Sequence, residues 1–206
     1  SHFKNRGEAI ASYEKNIQMM CQLREILKEY GIEFMTFMAP DKPFIYPEYL
    51  PNRDTTSKPL RAFEYYSKRF EEIGFPNIEM TKWFKAMRDT VSHPIMQTID
   101  SHWSFSAVYG CDSLLKYLNS LNNFGIPEIK YGKAIKTDKK PSYEEKVLNM
   151  LFPVIKKNHN YRIDVEVIKN ENTKKPRILF VGDSFIWAIN DHMPLKDILS
   201  DMEIWY

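Results

Sequence analysis

Ile178-Leu179-Phe180-Val181-Gly182-Asp183-Ser184-Phe185 is the stretch that decides our interpretation of the fold. Its first four residues are all apolar, which is typical of a strand buried on both faces in the middle of a parallel sheet. The next five residues can begin a helix, so Ser184 is predicted at the carboxyl end of a strand, near a helix N-terminus. Ligands bind there in open α/β sheets, and backbone N–H groups can stabilise an oxyanion.

The size and charge of the chain exclude several classes of protein. With 206 residues, we expect a single domain over residues 1–206, and the strand-like end at 202–206 predicts that the natural domain continues further. The net charge of +2 is too small to indicate binding of nucleic acid or an anionic membrane surface. Cys21 and Cys111 fall on predicted helices and are interpreted as core residues, with a disulfide between them left open.

Helical and strand-like segments alternate along the chain, which indicates the α/β class. We predict helices at 7–30, 60–73, 105–121 and 144–156, strands at 32–39 and 161–169, and a short strand running into a turn at 77–84. The strand at 161–169 is expected to form an antiparallel hairpin with the strand that precedes Ser184. The proline-rich segment 40–59 is predicted to be a rigid loop. Residues 123–142 are predicted to be a solvated connection, whose lysines could alternatively bind a polyanion.

A serine hydroxyl needs a neighbouring base to act as a nucleophile, and His102 is the best of the five histidines for that role. Asp100 lies two residues before His102, so in an extended segment both side chains project from one face. The carboxylate can then accept the Nδ1–H of the imidazole while Nε2 points outward.

Two other interpretations of the Asp100–His102 pair stay open at this point. An Asp–His pair is often a structural hydrogen bond or a helix cap. A metal site formed by His93, Asp100 and His102 is another alternative, although their spacing matches no standard zinc motif.

Three blocks of sequence resemble the alginate O-acetyltransferase group (AlgX/AlgJ-like, DHHW) of the SGNH/GDSL hydrolase superfamily. Gly182-Asp183-Ser184-Phe185 is similar to the nucleophile block, and Asp100-Ser101-His102-Trp103 is similar to the D-x-H-W motif. Met38 to Pro43, followed by Tyr46-Pro47-Glu48-Tyr49-Leu50-Pro51, is similar to the loop after the first core strand of that group. The Asp–His block precedes the serine block, as it does in this group and unlike ordinary SGNH enzymes.

The resemblance implies an SGNH-hydrolase-like fold, a three-layer α/β/α sandwich with a mostly parallel central sheet. It implies that Ser184 is the nucleophile, His102 the base and Asp100 the residue that orients His102. Five further residues are our candidates for substrate binding, although for Trp103 we favour a packing role that fixes the loop: Lys42, Tyr46, Tyr49, Trp103 and Asp183.

The activity implied by the resemblance is serine-dependent O-acetyl transfer to hydroxyls of an exported or cell-surface polysaccharide, with no metal or organic cofactor. A membrane-bound O-acyltransferase partner would supply the acetyl group. We expect an extracytoplasmic location, either periplasmic or at the cell surface, and a segment before residue 1 could anchor the protein to a membrane. A carbohydrate acetylesterase that uses the same residues and a non-catalytic polysaccharide-binding module remain the alternatives.

Overall fold

A computed structural model describes residues 6–49, 61–96, 102–122, 124–137, 160–169 and 171–206. The chain divides into two compact units, Ser1–Trp83 and Phe84–Tyr206, which are described separately below. The single domain over residues 1–206 therefore stays a prediction. Within the described ranges, no helix combines the length and the apolar character needed to cross a membrane.

The first unit contains a long helix, two short parallel strands and a second helix. Its elements in chain order are α1 (Arg6–Glu29), β1 (Thr36–Met38), α2 (Lys42–Ile45), a 3₁₀ turn (Pro47–Tyr49), α3 (Ala62–Ile73) and β2 (Asn77–Glu79). The strands pair in parallel, with Thr36 opposite Asn77 and Met38 opposite Glu79. The predictions of helices at 7–30 and 60–73 are confirmed, and the rigid loop after β1 contains a short helix instead of being wholly irregular.

The core of this unit lies where α1 and α3 pack together. Ile17, Phe70 and Phe75 are buried, and the rings of Phe70 and Phe75 stack with their centroids 4.7 Å apart. Beside this core, Arg69 Nε donates to Glu14 Oε1 at 2.8 Å, and the Tyr65 hydroxyl donates to the same oxygen. These bonds hold the pKa of the Glu14 carboxyl below its usual value.

The next helix, α4 (Thr81–Met87), follows β2 directly. The sequence analysis predicted a strand that runs into a turn over residues 77–84, and the second half of that prediction is wrong. The reason is the carboxylate of Glu79, which accepts the backbone N–H groups of Thr81 and Lys82. A carboxylate that satisfies the first N–H groups of a helix favours helix formation at that point.

The second unit carries most of the strands. Its elements in chain order are a 3₁₀ turn (Ser104–Ser106), α5 (Ala107–Asn122), β3 (Glu128–Tyr131), β4 (Ile135–Thr137), β5 (Asn160–Arg162), β6 (Val165–Ile168), β7 (Arg177–Val181), α6 (Phe185–His192), α7 (Leu195–Ile198) and β8 (Asp201–Trp205). The predicted helix at 105–121 is confirmed as α5. Its residues Val108, Cys111, Leu114 and Leu115 are buried. The predicted helix at 144–156 lies outside the described residues.

Strand pairing in this unit differs from the prediction. β3 pairs with β6 and β4 pairs with β5, both antiparallel, whereas β7 pairs in parallel with β8. The expected hairpin between 161–169 and the strand before Ser184 is therefore wrong. The segment 123–142, predicted to be a solvated connection, contributes β3 and β4 among its described residues, although Lys133 and Lys136 are exposed.

Among the described residues, β7 is packed against neighbours on one face, contrary to the expectation of burial on both faces. Ile178 and Phe180 are partly buried, and Phe180 lies against Ile186 and Leu195 of the following helices. The alternate residues point away from these helices, and Val181 is 70% exposed. An unbroken apolar run therefore identified the strand correctly but not its environment, because both faces of this strand are apolar in sequence.

At Gly125, the backbone that follows α5 lies in close contact with the backbone that precedes β7. Gly125 has a φ of +67°, and its carbonyl accepts the N–H of Lys174 at 2.7 Å. A Cβ at this position would lie 2.7 Å from the carbonyl oxygen of Asn172. Gly125→Ala is therefore expected to lower the free energy of unfolding by roughly 1–3 kcal/mol in urea denaturation.

Alanine variants at two other glycines distinguish the cost of the positive φ from the cost of the close contact with Asn172. Gly31→Ala shares the positive φ, +70°, but meets no atom within 4 Å, so it measures the backbone cost alone. Gly132→Ala has neither feature and should change stability by at most about 0.5 kcal/mol. Equal stabilities of the Gly125→Ala and Gly132→Ala variants would contradict this account.

Candidate active site

Ser184 lies in the turn between β7 and α6, where the sequence analysis placed it. The N–H of Gly182 donates to the carbonyl of Trp205 at 3.1 Å, which ties the start of the turn to β8. A Cβ on Gly182 would lie 3.1 Å from Ile186 Cδ1, so glycine here lets α6 pack closely against the turn. Asp183 Oδ1 accepts the N–H of Phe185 at 3.1 Å and thereby caps the first turn of α6.

His102 brings its imidazole to this turn from a loop 82 residues earlier in the chain. His102 Nε2 and Ser184 Oγ lie 2.8 Å apart, which is hydrogen-bonding distance. The imidazole also contacts the ring of Phe185, with centroids 4.9 Å apart and planes tilted by 51°. The structure therefore brings the predicted nucleophile and the predicted base together.

Trp103, the next residue, is buried beside this pair. Its side chain is 1% exposed, and its indole Nε1–H donates to the backbone carbonyl of Phe185 at 2.8 Å. A side chain with almost no exposed surface cannot line a substrate groove. The structure thus favours the packing role for Trp103 over the role in substrate binding.

The structure describes four of the five remaining predicted site residues. Asp100 lies outside the described residues, so its role in orienting His102 stays a prediction. Asp183 is exposed and its carboxylate caps α6, as described above. Lys42, Tyr46 and Tyr49 belong to the first unit, where the two tyrosine rings lie 6.0 Å apart and Tyr49 is 77% exposed. Substrate binding by these four residues stays a prediction.

The backbone N–H of Ser184 is a candidate donor for an oxyanion. Within the described part of the chain, no acceptor is bonded to this N–H, and the Ser184 side chain makes no capping bond to α6. It lies at the N-terminal end of α6, where backbone N–H groups point toward a developing negative charge. The Gly182 N–H is already bonded to Trp205 and does not serve as a second donor.

Alternative chemistry at other side chains finds less support. Cys111 is buried, and burial raises the pKa of its thiol to about 12, so it is not a nucleophile near neutral pH. His93 packs among the rings of Phe105, Tyr109 and Tyr161, and burial lowers its pKa. Over the described ranges, no three His, Cys, Asp or Glu residues are grouped to hold a metal ion, and the alternative metal site at His93, Asp100 and His102 is not tested because Asp100 lies outside those ranges. Cys21 and Cys111 are both free.

Phe185 is the residue whose importance the sequence analysis missed. Its ring touches His102 and its carbonyl accepts the Trp103 indole, so it contacts both residues of the opposing loop. Phe185 was part of the quoted nucleophile block, but a motif specifies residue types and does not specify which atoms are in contact. The sequence offered one signal for these contacts: Trp103 directly follows His102, and Phe185 directly follows Ser184.

A serine at the end of a strand, bonded to an imidazole from a distant loop, is the arrangement that serine-dependent acyl-transfer enzymes use. The model of the family described as "SGNH hydrolase-like domain, acetyltransferase AlgX" matches residues 2–200. The chain belongs to this family, which confirms the resemblance and the SGNH-hydrolase-like fold inferred from the sequence. No curated protein matches the chain significantly.

Solved structures show the same fold at low sequence identity. The O-acetyltransferase domain of Pseudomonas putida AlgJ has a TM-score of 0.60 at 14% identity, over 98% of this chain and 73% of that one. Pseudomonas aeruginosa AlgX has a TM-score of 0.60 at 16% identity, over 91% of this chain and 48% of AlgX. Bacillus cereus PatB1, solved with a sulfonyl adduct, has a TM-score of 0.57 at 14% identity, over 94% and 79% of the two chains.

Proposed function

We propose that this protein is a serine-dependent O-acetyltransferase that modifies hydroxyls of an exported or cell-surface polysaccharide. The observation that carries the proposal is the 2.8 Å contact between Ser184 Oγ and His102 Nε2. Membership of the acetyltransferase AlgX family supports the acyl group and the reaction type. The likeness to the O-acetyltransferase domain of AlgJ supports the same choice.

The first half of the reaction loads the enzyme. The Ser184 hydroxyl attacks the carbonyl carbon of an acetyl ester while its proton passes to His102 Nε2. The tetrahedral oxyanion is stabilised by the Ser184 backbone N–H at the start of α6. When the ester C–O bond breaks, His102 gives the proton to the departing oxygen, and an acetyl-serine remains. Asp100 accepts the Nδ1–H of His102 and stabilises the imidazolium.

The second half transfers the acetyl group. A sugar hydroxyl gives its proton to His102 Nε2 and attacks the acetyl carbon, the bond from carbon to Ser184 Oγ breaks, and the proton returns to Oγ. Water in place of the sugar would give an acetylesterase by the same steps. No step requires a metal or an organic cofactor. A membrane-bound O-acyltransferase partner is proposed to supply the acetyl group, and the site is proposed to be extracytoplasmic.

The test is acetyl transfer from p-nitrophenyl acetate to oligosaccharides, with the products analysed by mass spectrometry. We expect Ser184-dependent release of p-nitrophenol and oligosaccharides heavier by one or more acetyl groups. A neutral glucan oligomer and a uronic acid oligomer should be compared as acceptors. Free acetate as the sole product would favour the esterase. No Ser184-dependent release of p-nitrophenol would favour the non-catalytic binding module and overturn the proposal.

A further inference from the structure

A second hydrogen bond lies beside the contact between His102 and Ser184. Trp103 Nε1–H donates to the carbonyl of Phe185 at 2.8 Å, and this pair is also separated by 82 residues. Two consecutive residues of the loop thus bond to two consecutive residues at the start of α6. One bond fixes the distance between two segments, whereas two neighbouring bonds also restrict how the segments turn against each other.

The loop side of this second bond is held rigidly. The Trp103 side chain is 1% exposed and packs against Phe84, with ring centroids 6.1 Å apart. The Trp103 carbonyl accepts the backbone N–H of Ser106 at 3.1 Å, and also its hydroxyl, where the 3₁₀ turn begins. A buried indole N–H that lost its acceptor would pay the full cost of desolvation without a compensating bond, so the bond to Phe185 is strongly favoured.

On the α6 side of the bond, three contacts hold Phe185 in place. The Phe185 N–H is bonded to Asp183, its ring contacts His102, and its carbonyl accepts the Trp103 indole. Because a carbonyl oxygen has two lone pairs, it can accept the indole N–H as well as a bond within α6. Ser184 is covalently joined to Phe185, so any displacement of Phe185 moves the serine relative to His102.

We propose that Trp103 is a positioning residue for acyl transfer. Its indole N–H holds Phe185, and through Phe185 it keeps Ser184 Oγ at bonding distance from His102 Nε2. This inference rests on the proposed function. Proton transfer requires heavy atoms about 2.6–3.2 Å apart, and a misplacement of about 1 Å can lower the rate by roughly 10²-fold. Trp103 itself is buried and does not contact the substrate.

The hydrogen bond can be tested without any activity measurement. Of the four tryptophans, Trp83, Trp187 and Trp205 are exposed, whereas Trp103 is buried. In hydrogen-exchange NMR, we expect one indole N–H to exchange far more slowly than the other three. The slow signal should disappear in Trp103→Phe and persist in Trp187→Phe. Four indole protons that exchange equally fast would overturn the inference.

The catalytic consequence is tested by removing the indole N–H. Trp103→Phe is expected to lower kcat for p-nitrophenyl acetate by roughly 10- to 100-fold with little change in KM. Site-specific replacement of Trp103 by 3-benzothienylalanine keeps the bicyclic shape but has no N–H, so it decides the outcome if Trp103→Phe fails to fold. Trp187→Phe is the matched control on α6 and should keep full activity. An unchanged kcat in the benzothienyl variant would overturn the positioning role.

A double variant separates positioning from general destabilisation. If Trp103 acts through the Ser184–His102 contact, removing its N–H should have almost no further effect on kcat in a His102→Ala background. An equal loss in both backgrounds would mean a structural role only and would overturn the inference. The proposed function fails separately, because wild-type protein without Ser184-dependent cleavage overturns it. Ser184-dependent cleavage that is insensitive to the indole N–H overturns the positioning role alone.

Discussion

Ser184→Ala is expected to lower kcat/KM for p-nitrophenyl acetate by at least about 10³-fold, because the variant lacks the atom that forms the acyl bond in the proposed mechanism. The loss should not come from unfolding. The Ser184 side chain makes no capping bond to α6, and alanine changes the turn by one oxygen. Loss of the hydrogen bond to His102 should lower the free energy of unfolding by no more than about 1.5 kcal/mol. The measurement is steady-state release of p-nitrophenol, with urea denaturation in parallel.

Ser120→Ala is the matched control for this prediction. Ser120 is an exposed helical serine whose hydroxyl donates to the Tyr117 carbonyl at 2.7 Å, so its loss should leave activity unchanged. A sulfonyl fluoride adds a second readout, because it reacts with activated serines. We expect one adduct on the peptide that contains Ser184, and none on that peptide in Ser184→Ala. Equal cleavage rates in wild type and Ser184→Ala would mean that another residue is the nucleophile.

The local part of this site could be predicted from sequence because its signals lie within a few residues. An apolar strand, a glycine and a helix-forming segment follow one another from Ile178 to Asn190, and the structure places Ser184 between β7 and α6 accordingly. The ends of helices could also be predicted from nearby residues. Gly74 adopts a left-handed conformation, with a φ of +64°, where α3 was expected to end. Such features depend on backbone preferences that each residue carries with it.

Strand partners could not be predicted because they depend on contacts between distant segments. The turn-rich residues 170–173 favoured a hairpin between β6 and β7, yet β6 pairs with β3, where Ile129 lies opposite Val167. The bond from Lys174 N–H to the Gly125 carbonyl holds the chain after α5 beside the segment that follows β6. β7 instead pairs with β8, which the sequence marked as a strand without indicating its partner.

The contact between His102 and Ser184 could be predicted in part. Residue types and spacing suggested that Asp100 and His102 serve Ser184, but sequence supplied no distance across the 82 residues from His102 to Ser184. The contacts of Phe185 were not predicted, because its ring contacts His102 while its backbone carbonyl accepts the indole N–H of Trp103. A motif therefore indicated candidate reacting groups, whereas the contacts that hold His102 and Ser184 depend on packing in the second unit.

His102→Ala is expected to reduce kcat for ester cleavage by about 10³-fold, because in the proposed mechanism Ser184 loses the group that takes its proton. The variant also removes the imidazole that packs against Phe185 and leaves space beside Ser184 Oγ. Added imidazole should therefore restore part of the activity in a concentration-dependent manner, which a variant that had lost its fold would not show. His192→Ala is the control, since His192 ends α6 and takes no part in the proposed mechanism.

Asp100→Asn tests the proposed role of Asp100, which is to orient His102 and stabilise its imidazolium form. An amide can no longer stabilise the imidazolium, so kcat should fall by roughly 10²-fold or more while KM stays nearly constant. If His102 acts through Asp100, the double variant with His102→Ala should be no slower than His102→Ala alone. Additive losses would mean that Asp100 acts independently of the imidazole, and His102 would then be the base without an orienting carboxylate at position 100.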